Sequence, residues 1–276
     1  MREKSPFTVR FWGVRGSIAC PGPRTARYGG NTSSLEVRCG EELLLFDAGT
    51  GIRYLGRALE GTRLDADLYF THTHFDHVCG LPFFRPLFEP QNRFRLWAGH
   101  LRGAMTLKRV LAEFMMSPLF PVPPEVFRST LEYRDFTAGE TLTTTKGVRV
   151  RTAALNHPDG ATGYRIDYHG RSLSLVYDTE HVPGSLDRTI LALISGCDLV
   201  IYDSMYTDDE YRRYVGWGHS SWQEGIRLCR EAGAKRMVVF HHDPDHDDEM
   251  LDGIAREVEK LLPGSVVARE GLVLEP

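Results

Sequence analysis

The sequence predicts an α+β protein in which two β-sheets pack against each other with helices on the outside. Three observations predict it. Strand-like runs open the first half of the chain, the same kind of run returns in the second half, and in both halves helical stretches follow strands. No low-complexity segment or linker divides the halves. A chain of 276 residues has ample apolar material for a core, whether as one large domain or two small ones. The reading adopted is a single domain over residues 1–276.

The elements follow in order. Val9–Val14 is apolar or alternating, and Ser34–Cys39 alternates with period two. Gly40-Glu41 reads as a tight turn into Leu43–Phe46, so this pair predicts a hairpin. Asp47–Gly51 is a loop, Ile52–Leu59 a helix and Leu68–Phe70 a short buried strand. Residues 82–130 change texture: seven of the 15 prolines fall there (Pro82, Pro86, Pro90, Pro118, Pro121, Pro123, Pro124) among many aromatics. Helical periodicity is present only near Arg102–Phe114. The stretch reads as an irregular insertion packed on the core, or as a lid or homodimer surface beside an active site. In the second half, Val148–Leu155, Thr162–Tyr168 and Arg171–Tyr177 are strands, with His169-Gly170 turning between the last two. Leu199–Tyr202 and Met237–Phe240 are short buried strands. Helices are predicted at Asp187–Ile194, Ser221–Ala232 and Asp248–Leu262, the last with a stripe of Leu251, Ile254, Val258 and Leu261.

Composition excludes some functions. A net charge of −4 gives no polyanion-binding surface, so stable nucleic-acid binding is not expected. Cys20, Cys39, Cys79, Cys197 and Cys229 are scattered and odd in number, which fits reduced thiols rather than a disulfide framework. The N-terminal residues lack the apolar core of a signal peptide, and no apolar run approaches bilayer-spanning length. The expectation is a soluble cytoplasmic protein with no membrane partner.

The chemistry concentrates in Thr71-His72-Thr73-His74-Phe75-Asp76-His77. His72 and His74 stand two apart in an extended segment, so both side chains point the same way. Asp76 and His77 follow where a helix could begin. A satisfied core histidine accounts for one such residue. Four ligand-type residues in six positions after a buried strand call for metal, because buried imidazoles and carboxylates are costly without partners.

This segment resembles the HxHxDH motif of the metallo-β-lactamase superfamily, whose fold is an αββα four-layer sandwich. The resemblance covers nearly the whole chain. His157, in Asn156-His157-Pro158, follows a strand as the next histidine ligand does; Asp178 ends a strand as the bridging carboxylate does; and His241 ends the strand Met237–Phe240. It implies that His72, His74 and His157 hold one metal, that Asp76, His77 and His241 hold the other, and that Asp178 bridges them. Two metals about 3.5–4 Å apart can share a hydroxide and polarise a phosphoryl or acyl oxygen. Asp47 matches an aspartate that orients the His/Asp loop without binding metal. Five imidazoles and two carboxylates suit two divalent ions, with zinc preferred and manganese or iron also suited. Other readings stay open at single positions. His157 reads also as a loop residue and Asp178 as a turn or cap residue. His242 and His246 compete with His241, which is preferred because it directly follows the buried strand. The acidic run Asp243–Asp248 reads as a solvated loop and helix start, and His100, His169 and His181 as structural or surface residues.

Gly218-His219-Ser220-Ser221 bears on the reaction. It precedes a helix with an expected capping box, Ser221 with Glu224, a buried face of Trp222, Ile226 and Cys229, and a stop at Gly233. Histidine and hydroxyls at a helix N-terminus suit an anionic oxygen. With Glu231–Arg236 and Val238–His241, the stretch resembles the ribonuclease Z and cyclic phosphodiesterase branch. Gly29-Gly-Asn-Thr-Ser33 resembles an early segment of such phosphodiesterases. The resemblance implies that His219 contacts phosphate and assists the leaving group, with Asp203 orienting it. Asp76 and His219 are thus the candidate catalytic residues, and Asn31 and Ser220 the candidate substrate-binding ones. The basic, glycine-rich arm with which ribonuclease Z proteins grip tRNA is not seen in the sequence. The departure favours a small or cyclic phosphodiester. Alternatives are an acyl hydrolase (lactonase or thiolesterase) on the same metals, a ribonuclease Z-like tRNA 3′ endonuclease, and a non-catalytic metal-binding sensor.

Overall fold

The computed structural model describes residues 6–276 apart from Arg102 and Ala104. The first residues of the chain and Arg102, the start of one predicted helix, therefore lie outside the described residues.

The first half comprises β1 (Phe7–Gly13), β2 (Ser34–Cys39), β3 (Glu42–Phe46), α1 (Ile52–Ala58), β4 (Asp65–Phe70), the single turn α2 (Phe75–Val78), β5 (Arg93–Ala98), α3 (Leu107–Phe114) and β6 (Thr130–Asp135). The second comprises β7 (Thr141–Thr143), β8 (Arg149–Leu155), β9 (Ala161–Tyr168), β10 (Arg171–Val176), α4 (Arg188–Ile194), β11 (Leu199–Asp203), α5 (Asp208–Tyr211), α6 (Trp222–Ala232), β12 (Met237–Phe240), α7 (Asp248–Leu261), β13 (Val266–Val267) and β14 (Val273–Leu274). Among the described residues these strands form two sheets, ordered β14-β1-β2-β3-β4-β5-β6 and β13-β12-β11-β10-β9-β8-β7.

Both sheets are mixed in the same way. Antiparallel neighbours run from β14 to β3 and from β7 to β10. Parallel neighbours run from β3 to β6 and from β10 to β13. The interior strands β3, β11 and β12 are buried on both faces, which is why they read as apolar runs. At the β9–β10 hairpin His169 and Gly170 take φ of 48° and 77°, the left-handed pair that a two-residue turn needs.

Between the sheets lies a core that includes Phe46, Tyr69, Tyr164, Tyr177 and Phe240, all fully buried. Ile52 and Leu55 of α1 and Leu107 and Leu111 of α3 cover the outer face of the first sheet. Leu193 of α4, Ile226 of α6 and Leu251 of α7 cover that of the second. The result is the αββα sandwich. Three loops leave their strands directly after an inter-sheet aromatic: Asp47 after Phe46, Asp178 after Tyr177 and His241 after Phe240. Burying each ring is worth about 1.5–3 kcal/mol, so the residues that follow start from fixed points.

Two expectations need correction. The stretch 82–130 is not irregular throughout, because β5 lies inside the first sheet between β4 and β6. Its arginine at position 95 is neutralised within the sheet by Asp67 and Asp65, which lets a charged residue sit in an interior strand. The capping box at α6 is half formed. Ser221 accepts the Glu224 N–H, but the Glu224 carboxylate turns to Arg227. A complete capping box occurs instead at α5, between Thr207 and Glu210. The cysteines are all free, and no helix among the described residues is long and apolar enough to cross a membrane.

Candidate metal centre

Four segments converge at the carboxyl ends of strands: residues 71–77 after β4, His157 after β8, Asp178 after β10 and His241 after β12. His74 Nδ1 lies 3.1 Å from His157 Nε2. Asp178 Oδ1 lies 3.8 Å from His72 Nε2 and 3.9 Å from His157 Nε2. On the other side, Asp76 Oδ2 stands 3.1 Å from His77 Nε2 and 3.4 Å from His241 Nε2. Asp178 Oδ2 is 3.3 Å and 3.4 Å from the same two nitrogens. Asp178 thus offers one oxygen to each group. His72, His74 and His157 form one set that could hold a metal ion, and Asp76, His77 and His241 another.

The orientation of these groups is imposed from outside. Asp47 accepts the Thr71 N–H at 2.8 Å and its hydroxyl at 2.9 Å, and its Oδ2 lies 2.9 Å from His77 Nδ1. That contact leaves His77 Nε2 for the centre. The His157 Nδ1–H donates to the Gly218 carbonyl at 2.7 Å, which frees Nε2 in the same way. Asp76 accepts the Ser17 N–H at 2.9 Å, and a Cβ on Gly16 would lie 2.6 Å from the His241 ring. Asp47, Asp178 and His241 all hold positive φ, near 60°. Backbone strain of this kind costs about 1–3 kcal/mol per residue and concentrates where geometry matters to function.

The donor set fits divalent cations. His72 Nε2 is buried without a hydrogen-bond partner, and Asp178 Oδ2 is buried with only the His77 and His241 ring nitrogens near it, at 3.3 Å and 3.4 Å. Leaving such atoms unmet costs about 1–3 kcal/mol each. Burial disfavours charge on His77, yet Asp76, Asp178 and Asp47 outweigh it and hold its pKa well above the usual value. Burial likewise opposes ionisation of Asp178, and His241, His77 and His72 outweigh it, so its pKa lies well below the usual range. Burial and the nearby His77 push His72 well down, which keeps it a neutral donor. Carboxylates gathered around imidazole nitrogens, in a place where protons alone satisfy them poorly, suit zinc-like ions.

His219 lies at the edge of this cluster. Its Nδ1 is 3.0 Å from Asp203 Oδ2, which leaves Nε2 as the free ring nitrogen. Its ring centroid is 5.3 Å from that of His157 and 5.1 Å from that of His241. Burial lowers its pKa, but Asp203, Asp178 and Asp76 together lift it to about 9. Asp203 also accepts N–H groups from Thr179, Met205 and Ser220, so it is itself immobilised.

The remaining candidates fall elsewhere. Asn31 bonds through its backbone N–H and side-chain amide to Glu270, and its carbonyl accepts from Val14 and Arg15. Ser220 is fully buried, its hydroxyl shared between His181 and Tyr202. These contacts tie both residues into the fold. His242 Nε2 lies against the Ala268 carbonyl and His246 Nε2 against Glu210, so neither enters the cluster. His169 stays in its turn, and His181 packs face to face on Tyr211. His100, set aside in the sequence, is buried and bonded to Thr73 at 3.0 Å. With Thr73, Leu101, Val110 and Phe114 it lines a cavity of about 600 Å³ that reaches His72 and His74. The Gly16-Ser17 loop, which meets Asp76 and His241, has no counterpart among the sequence candidates. Thr71, by contrast, stands at the head of the motif.

Comparison with known proteins agrees with this geometry. The profile of the Beta-lactamase superfamily domain matches residues 43–242. A ribonuclease Z from Myxococcus xanthus is 28% identical, covering 89% of this chain and 92% of its own. Among solved structures, the metallo-beta-lactamase fold protein YhfI from Bacillus subtilis superposes with a TM-score of 0.74 at 18% identity, covering 98% of this chain and 100% of its own. A diphosphatase from the PhnP family superposes at 0.72 and 20% identity, covering 98% of each chain. Since the domain profile spans well over half of its length, the chain belongs to the Beta-lactamase superfamily domain family, as a hydrolase of the metallo-β-lactamase fold.

Proposed function

We propose that the protein is a dinuclear, zinc-dependent phosphodiesterase acting on a small or cyclic phosphodiester. The observation that carries the reading is the Asp203–His219 pair beside the metal cluster. Asp203 fixes the His219 ring through Nδ1 and favours its protonated form, the form in which Nε2 carries a proton. A phosphodiester needs that proton on its departing alkoxide. When bound, a pair of divalent ions supplies hydroxide at neutral pH and draws electron density from a phosphoryl oxygen. The chain's own residues do the rest. Asp76, held by the Ser17 N–H, orients the attacking water. As the bond from phosphorus to the leaving oxygen breaks, His219 gives that oxygen its proton. The cavity beside His74 receives the organic group of the substrate, with His100, Leu101, Val110 and Phe114 supplying part of its wall.

The size of that cavity and a net charge of −4 favour a small substrate over stable nucleic-acid binding. Free, scattered thiols fit a reducing cytoplasmic setting. Exposed Phe75, Phe83, Met116 and Leu119 fit a homodimer surface. A second reading, a ribonuclease Z-like endonuclease, is supported by the 28% identity to the Myxococcus ribonuclease Z.

The test is hydrolysis of bis-p-nitrophenyl phosphate, abolished by EDTA and restored by zinc. His219→Ala lowers kcat by about 10²–10⁴-fold while bound zinc stays unchanged. Zinc-loaded protein that ignores phosphodiesters but cleaves lactones or thiolesters would overturn the substrate class. Normal turnover by His219→Ala would remove the histidine from the mechanism.

A further inference from the structure

We propose that Glu180 is a positioning residue: its carboxylate clasps the loop that carries Gly218 and His219 against the loop that carries His157, and so sets the His157 imidazole for its metal. The inference rests on the metal reading of the site but not on any substrate.

Glu180 lies two residues beyond Asp178, outside any strand, and is tied in two directions. Its backbone N–H donates to the Asn156 carbonyl at 2.7 Å, and the Asn156 side-chain amide donates back to the Glu180 carbonyl at 2.9 Å. That fixes it to the residue preceding His157. Its carboxylate then accepts the Gly216 N–H on one oxygen and the Gly218 N–H on the other, both at 2.7 Å. Gly218 closes the ring, because its carbonyl accepts the His157 Nδ1–H at 2.7 Å. Glu180, Asn156, His157 and Gly218 thus form one hydrogen-bonded circuit.

The loop is anchored at its ends, where Tyr214 stacks on Tyr206 and Asp203 holds His219 and Ser220, and the stretch between them leans on Glu180. Trp217, between the two clasped glycines, is 64% exposed, and Val215 is 55% exposed, so its large apolar side chains face solvent rather than a core. Hydrogen bonds to an ionised carboxylate are about twice as strong as neutral ones, and here two backbone N–H groups meet one carboxylate, which the Tyr211 hydroxyl also approaches at 3.4 Å. The backbone demands glycine at the contact. Gly218 has φ +84°, and a Cβ there would lie 2.5 Å from His157 Nδ1. The approach that orients His157 therefore depends on where the loop is held. Loss of a residue that orients a ligand in this way typically costs 10–100-fold in metal affinity.

The test uses the full chain as Glu180→Ala and Glu180→Gln. Zinc is titrated in competition with a chromophoric chelator, and amide hydrogen exchange is followed along the chain. Wild type takes two zinc ions. In Glu180→Ala one of the two sites weakens by about 10–100-fold, the other keeps its affinity, and exchange quickens in residues 214–219 alone. Glu180→Gln falls between, because its single carbonyl oxygen can keep one of the two N–H bonds; it also carries the test if the alanine variant fails to fold. Two zinc ions bound with unchanged affinity by Glu180→Ala would overturn the clasp alone. Equal weakening of both sites with faster exchange throughout would overturn it in favour of a general role in the fold. Wild-type protein that binds no zinc would overturn the metal reading and the clasp together.

Discussion

Asp47 makes the case at the scale of one residue. It has no exposed surface, holds φ at +58° and divides its carboxylate between Thr71 and His77. One side chain therefore fixes both the start of the His/Asp segment and the tautomer of a ligand within it. Asp47→Ala is expected to lower zinc affinity by about 10–100-fold with the far-ultraviolet circular dichroism unchanged. Wild-type affinity in a chelator competition would show that Thr71 and His77 are held by other means. The motif 72–77 was legible because four ligand-type residues crowd into one short segment. The choice of His241 over His242 and His246 needed coordinates. All three are buried histidines within one short stretch, and only their hydrogen bonds separate them.

Among the elements, β5 deserves the closest look. Arg95 is nearly buried, with Nε 2.7 Å and Nη2 3.0 Å from Asp67, and Nη1 2.6 Å from Asp65. Asp67 accepts the Trp97 indole N–H as well, at 2.8 Å. Removing the arginine strands a buried carboxylate, which typically costs about 3–5 kcal/mol. Arg95→Ala should accordingly lower the urea midpoint by a corresponding amount. A shift worth less than about 1 kcal/mol would mean that water or backbone replaces the guanidinium. The strand escaped the sequence reading because its period carries arginines at alternate positions. A charged residue looks solvent-facing until its partner on β4 is known, and β4 lies well upstream. The strands around β9 and β10, by contrast, are joined by a two-residue turn whose sequence states its own geometry.

For the whole molecule, the centre draws its ligands from both sheets. His72, His74, Asp76 and His77 follow β4 of the first, whereas His157, Asp178 and His241 follow β8, β10 and β12 of the second. Bound ions would cross-link the two halves of the sandwich. Zinc should therefore raise the melting temperature, and EDTA should lower it. Free zinc at a hundred times its dissociation constant adds about 2.7 kcal/mol per site. Calorimetry showing the same transition with zinc and with EDTA would refute the cross-link.

The sequence by itself determined the sandwich class, most of the strands and helices, and the ligand cluster His72–His77, because those follow from local periodicity and from residue types too costly to bury unpaired; His157, Asp178 and His241 rested on the family resemblance. The tertiary structure alone decided which ligand atoms face which. It turned Asn31 toward Glu270 and Ser220 toward His181, drew Ser17 onto Asp76, and closed Glu180 around Gly218. Those contacts join residues from separate loops at the strand ends. Their hydrogen bonds depend on distances and directions that no local pattern along the chain encodes.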